Sequence, residues 1–398
     1  MRSLRLSAMI LSTVVILSAS LEAADNEFIR YDRSQTLKML PELHLLDPVW
    51  KSPIIYGESS TLLQLEKDGP ITGRLAFPAQ KIFEVRTADR KRTLEEGTDY
   101  TLAEDKRTLT IKPKSKLLFL TERELYPREK GPSALPYRVG HPEQFMLHME
   151  GHFFHTRQIE VTYRPAPNAW TGPVPQLAEK QLPKTFARLR AGKSLTLGVS
   201  GDSITYGLNA SALANWPPNQ PAYAELVAAQ LQDHYKVNVD LENRAVSGWS
   251  ILHGITDLNQ LLKEKPHLLI VAYGMNDVGR KDPKWFKEQN QTFLDKVRKA
   301  DPEIEVILVA SMLGNKEWIA TPREMFALYR DELKSLTGPG VALADVTSVW
   351  TTFLQHKQDL DLLGNGLNHP TDFGHRLYAQ TILSLLIPPQ ANIPPEAK

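Results

Sequence analysis

The chain has 398 residues, with 47 Lys and Arg against 46 Asp and Glu, a formal charge of +1, and no cysteine. Charge this balanced and dispersed argues against nucleic acid or an anionic membrane surface as the main partner. The missing thiols exclude a cysteine nucleophile, thiolate metal sites and disulfide staples, so stability rests on the one or two apolar cores a chain this long can bury.

The first 24 residues read as a secretory signal peptide. Arg2 and Arg5 precede an apolar run at 6–16, and small residues follow at Ala23 and Ala24. That run is too short to span a bilayer, and no later stretch approaches ~18 consecutive apolar residues, so no stable membrane insertion is expected after cleavage. The expectation is therefore an exported, periplasmic or extracellular protein. Without Arg2, Arg5 and Glu22 the formal charge falls to zero.

Within the region 25–164, residues 54–164 carry short alternating runs separated by turn signals, as half-buried strands do. In "KIFEVRT", Ile82 and Glu84 oppose Phe83 and Val85. "DYTLAEDKRTLTIKP" reads as a hairpin turning at Glu104 and Asp105, and "RQIEVTYRP" directs Ile159, Val161 and Tyr163 to one face. This region is predicted to be a small all-β domain, sandwich- or jelly-roll-like. A Pro-rich crossing at 165–190 follows, with five prolines between Arg164 and Thr185.

From 191 to 390 the pattern changes. "SLTLGVS", "HLLIVAYG", "EVILVAS" and "GVALADV" are near-continuous apolar runs, as strands buried on both faces tend to be. Helical periodicity alternates with them in "AYAELVAAQLQDHY" and "DFGHRLYAQTILSLLI". Strand–helix alternation predicts a three-layer α/β/α sandwich on a parallel sheet, with its site at the strand C-terminal ends.

Four segments at those ends carry chemistry. "GVSGDSITYG" places Ser203 on a turn between strand and helix, where a hydroxyl is exposed near the positive helix end. Gly248 in "NRAVSGWS" ends a short strand and offers a close backbone N–H. Asn276 in "VAYGMNDVG" offers a side-chain amide. His369 in "LGNGLNHPTDFGHRLYA" lies beside Pro370 ahead of the last helix. Each alone has an ordinary structural explanation: a helix cap, a turn glycine, an Asx turn, a packed histidine. In this order they supply a nucleophile, three oxyanion donors and a base.

On GDS at 201–203, Gly248, GxND at 274–277 and His-Pro at 369–370, the chain resembles the SGNH (GDSL-type) hydrolases over roughly 194–388. The resemblance implies a serine esterase with Ser203 as nucleophile and His369 as base. The N–H groups of Ser203 and Gly248, with the Asn276 amide, would form its oxyanion hole; no cofactor or metal is implied. One departure stands out. The family's aspartate three residues before the histidine is here Gly366. Three partners for His369 stay open: a backbone carbonyl or Asn365 in a Ser–His dyad, Asp361 from the preceding loop, or Asp372, whose place better suits a helix N-cap. His375 is assigned a structural or surface role.

Trp216, Trp249 and Trp318 flank these motifs and could stack on sugar rings, although an indole packed in the core is the ordinary alternative. The layout is similar to that of carbohydrate acetylesterases, which implies removal of small acyl groups, acetyl first, from an oligo- or polysaccharide. Two rivals are a lysophospholipase or thioesterase of the same family, and a carbohydrate-binding protein without turnover. His141, His148, His152 and His155 have spacing that zinc could use, but a partly buried strand-and-turn cluster is favoured over a metal site, with a cluster facing the seam between the two regions as the alternative.

Overall fold

The computed structural model describes residues 31–136 and 138–389; the signal-peptide reading lies outside them. Helix α1 (Arg33–Leu43) opens the described chain, capped by Asp32. The strands β1 (Ile55–Thr61), β2 (Leu63–Gln64), β3 (Ile71–Arg74), β4 (Ala79–Thr87), β5 (Tyr100–Leu102) and β6 (Thr108–Ile111) come next. They are followed by β7 (Leu120–Thr121), the short α2 (Glu122–Leu125), β8 (Ala134–Leu135), β9 (Met146–Leu147) and β10 (Gln158–Pro165). Strands β1, β10 and β4 form one antiparallel sheet; β5, β6, β3, β2 and β7 form a second, and β8 and β9 a small ribbon. The predicted hairpin is β5–β6, with the Asp105 carboxylate accepting from the N–H groups of Arg107 and Thr108 at its turn. Strand β10 alternates as read, yet Glu160 on its polar face is also buried, held by Arg86, Arg90 and Arg376.

Inside the Pro-rich crossing lies α3 (Pro183–Arg190), and Trp170 packs against Trp50 and Phe353. The second half then alternates β11 (Leu195–Gly201), α4 (Ser203–Tyr206), α5 (Tyr223–Tyr235), β12 (Val239–Asn243), α6 (Ile251–Lys263) and β13 (Leu268–Ala272). It continues with α7 (Pro283–Ala300), β14 (Glu305–Ala310), α8 (Arg323–Lys334), β15 (Val341–Asp345), α9 (Val346–Leu354) and α10 (Asp372–Leu386). The five strands are parallel in the order β12-β11-β13-β14-β15. Every residue of β13 and β14 is buried, which explains their apolar sequence, broken only by Glu305, whose carboxylate accepts from the N–H groups of Lys184 and Thr185. Helix α6 buries Ile251, Gly254, Leu258 and Leu261, a three-and-four spacing that turns one stripe inward. Helix α5 packs on both α10 and α1, while α6, α7 and α8 pack in series. One apolar core runs from Leu40 in α1 through β1, β4 and β10 into the α/β half.

Candidate active site

Strands β12, β11 and β13 are neighbours and parallel, so their C-terminal ends share one edge. Asp202 caps α4 by accepting the Ile204 N–H at 3.0 Å, which leaves Ser203 as the first helical residue, buried, with its hydroxyl uncommitted to capping. Gly201 must be glycine, because a Cβ there would lie 2.3 Å from Thr205 Oγ1 and 2.9 Å from the Ala272 carbonyl. Gly248 does not end a strand as expected. β12 stops at Asn243, and Gly248 stands exposed on the following turn with φ +81°. Asn276 follows β13 and donates its amide to the Trp249 carbonyl at 2.8 Å, while the Ile251 N–H donates to Asp277 Oδ1 at 3.2 Å. Those two bonds stitch the Gly248 turn to the Asn276 turn.

His369 Nε2 lies 2.9 Å from Ser203 Oγ, across 166 residues of chain. The protonation of this imidazole follows from counting donors. Asn365 Oδ1 accepts from the backbone N–H groups of Leu367, Asn368 and His369, which fixes the orientation of its amide. Its two amide protons go to Glu150 Oε1 at 3.1 Å and Asn368 Oδ1 at 3.0 Å. Asn209 spends its amide protons on the carbonyls of Gly151 and Gly364, so its Oδ1, 3.0 Å from His369 Nδ1, can only accept. The Asn365 amide nitrogen also lies 2.9 Å from Nδ1, but its two protons have Glu150 Oε1 and Asn368 Oδ1 as acceptors; with the Asn209 and Glu150 oxygens beside it, Nδ1 carries the proton and Nε2 presents a lone pair to Ser203. A serine hydroxyl so placed can give up its proton as it attacks a carbonyl carbon.

The other acceptor at Nδ1 is Glu150, with Oε1 at 3.0 Å and Oε2 at 3.1 Å. Neither Glu150 nor Asn209 was among the residues singled out in the sequence. Glu150 lies inside the histidine-rich "HPEQFMLHMEGHFFH", and nothing local links that stretch to His369. Burial pushes the Glu150 carboxyl up, but His369 and His148 outweigh it and hold it well below the usual carboxylate range.

Of the partners proposed from sequence, Asp361 and Asp372 lie elsewhere, while Asn365 stays beside the imidazole with its amide nitrogen 2.9 Å from Nδ1. Asp361 is buried at the contact with β1, accepting from the N–H groups of Thr61 and Gln358 and from Ser60 Oγ. Asn365 cannot orient the imidazole as an acceptor, since its oxygen is consumed by three backbone donors. Thr371 caps α10, so Asp372 is its first residue and accepts from the Ser211 N–H at 2.8 Å. His375 is fully buried in α10, and burial pushes it down to about 3.

Residues 199–377 match the family model of the GDSL-like Lipase/Acylhydrolase family. The chain carries a GDSL-like acylhydrolase domain over these residues and is a carboxylic ester hydrolase. Among solved structures, the esterase is similar to the lipase Lip_vut3 from a goat rumen metagenome, at 17% identity over 48% of this chain and 97% of that one, with a TM-score of 0.40. It is also similar to a two-domain esterase (CEX) active on acetylated mannans, at 19% identity, 54% and 55% coverage, and a TM-score of 0.42. A third is Axe2, an acetylxylan esterase from Geobacillus stearothermophilus, at 19% identity, 50% and 97% coverage, and a TM-score of 0.39. No curated protein matches the chain.

In this esterase Trp216 stacks on His152 with ring centroids 4.3 Å apart, and Lys91 lies 5.8 Å from its ring. Trp249 stacks on His253 at 5.8 Å, and the backbone N–H of Trp318 donates to the Asn315 carbonyl. All three indoles are partly exposed. Of the four histidines, His141 pairs with Glu143 in solvent, His148 reaches Glu150 Oε1, His152 stacks on Trp216, and His155 donates to the Asn209 carbonyl at 2.9 Å. Among the described residues no cluster of His, Asp and Glu is arranged to hold a metal ion.

Two carboxyls beneath the site are also perturbed. Burial pushes Asp202 and Asp277 up to about 7 each, and the proximity of Asp277 adds to the shift at Asp202.

Proposed function

We propose that the protein is an exported serine esterase that removes small acyl groups, acetyl first, from an oligo- or polysaccharide. Ser203 attacks the acyl carbon and His369 takes its proton, then returns it to the leaving sugar hydroxyl. The N–H groups of Ser203 and Gly248 and the Asn276 amide receive the developing oxyanion. The observation that carries this reading is the 2.9 Å contact between Ser203 Oγ and an imidazole nitrogen whose lone pair is free to accept. The β-rich region at 25–164, the crossing at 165–190 and the hydrolase region at 191–390 remain our division of the chain. The substrate class draws on Trp216, Trp249 and Trp318, partly exposed indoles on turns around the strand-end edge.

Acetate release from a panel of acetylated polysaccharides, headed by xylan and mannan, tests the reading in wild type and Ser203→Ala. The expectation is release by wild type alone. Equal turnover of p-nitrophenyl acetate and octanoate, with no release from any polysaccharide, would move the substrate to lipid acyl esters. Activity retained by Ser203→Ala would remove the mechanism.

A further inference from the structure

We propose that Glu150, carried by the β-rich half of the chain, is the carboxylate that positions His369, so that the N-terminal half completes the active site of the hydrolase domain. This rests on the reading of Ser203 and His369 given above. Among the described residues Glu150 is the one carboxylate hydrogen-bonded to His369, and both its oxygens lie within 3.1 Å of Nδ1. As Ser203 transfers its proton to Nε2 the ring becomes an imidazolium. A carboxylate at Nδ1 then stabilises that charge and keeps the Nδ1–H tautomer in place.

The loop before His369 explains why the acid comes from so far away. The position three residues before His369 is Gly366, with φ +86°, a left-handed conformation that an aspartate rarely adopts. A Cβ at Gly366 would meet the Leu147 carbonyl at 2.7 Å and the Phe154 ring at 2.7 Å. Residues 147–154 therefore fill the space that a local carboxylate would need, and the same stretch supplies one. The Met149 N–H donates to the Asn365 carbonyl at 3.3 Å, and His155 holds the Asn209 carbonyl, so the segment is fastened on both sides of the imidazole. Glu150 is itself braced. His148 Nε2 and the Asn365 amide both approach Oε1, at 3.0 and 3.1 Å.

Glu150 acts through His369 and does not touch substrate, so the test separates positioning from folding. Steady-state kinetics on p-nitrophenyl acetate would compare the full chain with Ser203→Ala, Glu150→Gln and Glu150→Asp, each checked for melting temperature. We expect Glu150→Gln to lower kcat on the order of 10²- to 10⁴-fold with KM within about threefold, because the amide removes the charge and offers a competing donor. Glu150→Asp should recover at least part of that loss, and the downfield Nδ1 proton resonance of wild type should vanish in Glu150→Gln. A folded Glu150→Gln within about fivefold of wild-type kcat, beside an inactive Ser203→Ala, overturns the role of Glu150 and leaves the serine mechanism standing. An active Ser203→Ala instead removes the mechanism, and this inference with it. If Glu150→Gln does not fold, Glu150→Ala with added formate replaces it: recovery of kcat by formate supports the role, and no recovery overturns it.

Discussion

Asp361 and Glu150 are both carboxylates, and their hydrogen bonds assign them different work. Asp361 satisfies the N–H groups of Thr61 and Gln358 and the hydroxyl of Ser60, all at a buried contact. Removing it would orphan those donors, at about 1–3 kcal/mol for each that water cannot reach. Asp361→Ala should therefore lower stability by about 2–4 kcal/mol in chemical denaturation while kcat stays within a few-fold of wild type. A loss of several orders in kcat, with stability intact, would return Asp361 to the site. Asn276 is the opposite case. It is exposed and its amide makes one bond, to Trp249, so Asn276→Ala should cost little stability. It should lower kcat by about 10²–10³-fold, the usual effect of deleting one oxyanion donor. An unchanged kcat would exclude it from the oxyanion hole.

At the scale of elements, the turns after β11 and β13 were legible because each is local. An apolar run ends, a glycine or small polar residue follows, and periodicity changes. Ser203 and Asn276 were singled out by that signal, whereas Gly248 and His369 rested on the order of the motifs and the family resemblance. Strand β12 reads "VDLEN", an edge strand with polar positions, and was not singled out. Helix α1 carries Pro41 and few apolar residues, and its fit depends on α5. Glu150 and Asn209 were beyond reach for a different reason: their contacts with His369 span 219 and 160 residues, and no local pattern encodes them. The loop at 363–370 invites a direct check. Gly366→Asp, which restores the family's spacing, should destabilise the fold by at least ~1–2 kcal/mol through its left-handed backbone alone. It should not restore activity to Glu150→Gln, because Leu147 and Phe154 occupy its path. Restored activity would mean that the loop can rebuild a local acid.

The same turns predict a pH dependence. Asp202 and Asp277 are raised from an ordinary 3.8 to about 7, so the folded protein holds protons that the unfolded chain has released. The stability tied to these protons is complete below about pH 4 and is lost as pH rises towards about 7. Asp277 Oδ2 is buried with no hydrogen-bond partner among the described residues, which favours the neutral acid there. Asp277→Asn cannot ionise, so it should flatten the fall in melting temperature between about pH 5 and pH 7.5 relative to wild type. Parallel pH profiles for the two proteins would mean that Asp277 ionises as freely when folded as when unfolded.

Across the whole molecule, the two regions that differ so plainly in sequence are joined by buried charge. Lys357, beyond α9, donates to Glu58 Oε1 in β1 at 2.6 Å and to the Arg74 carbonyl at 2.6 Å, and both side chains of the pair are fully shielded from water. Glu58 also accepts from Tyr163 Oη and the Ala76 N–H. Arg376 in α10 reaches the Gly57 carbonyl at 2.6 Å and lies 3.5 Å from Glu160 in β10. A buried pair of this kind adds little net stability over an apolar substitute, but losing one member strands the other charge at about 3–5 kcal/mol. Lys357→Met should therefore lower stability by about that amount, and adding Glu58→Gln should recover part of it. Because the core runs through both halves, loss of secondary structure and loss of esterase activity on heating should coincide in one transition for wild type. Early loss of activity in Lys357→Met, ahead of the main transition, would show that Glu150 and its segment leave His369 before the α/β half unfolds.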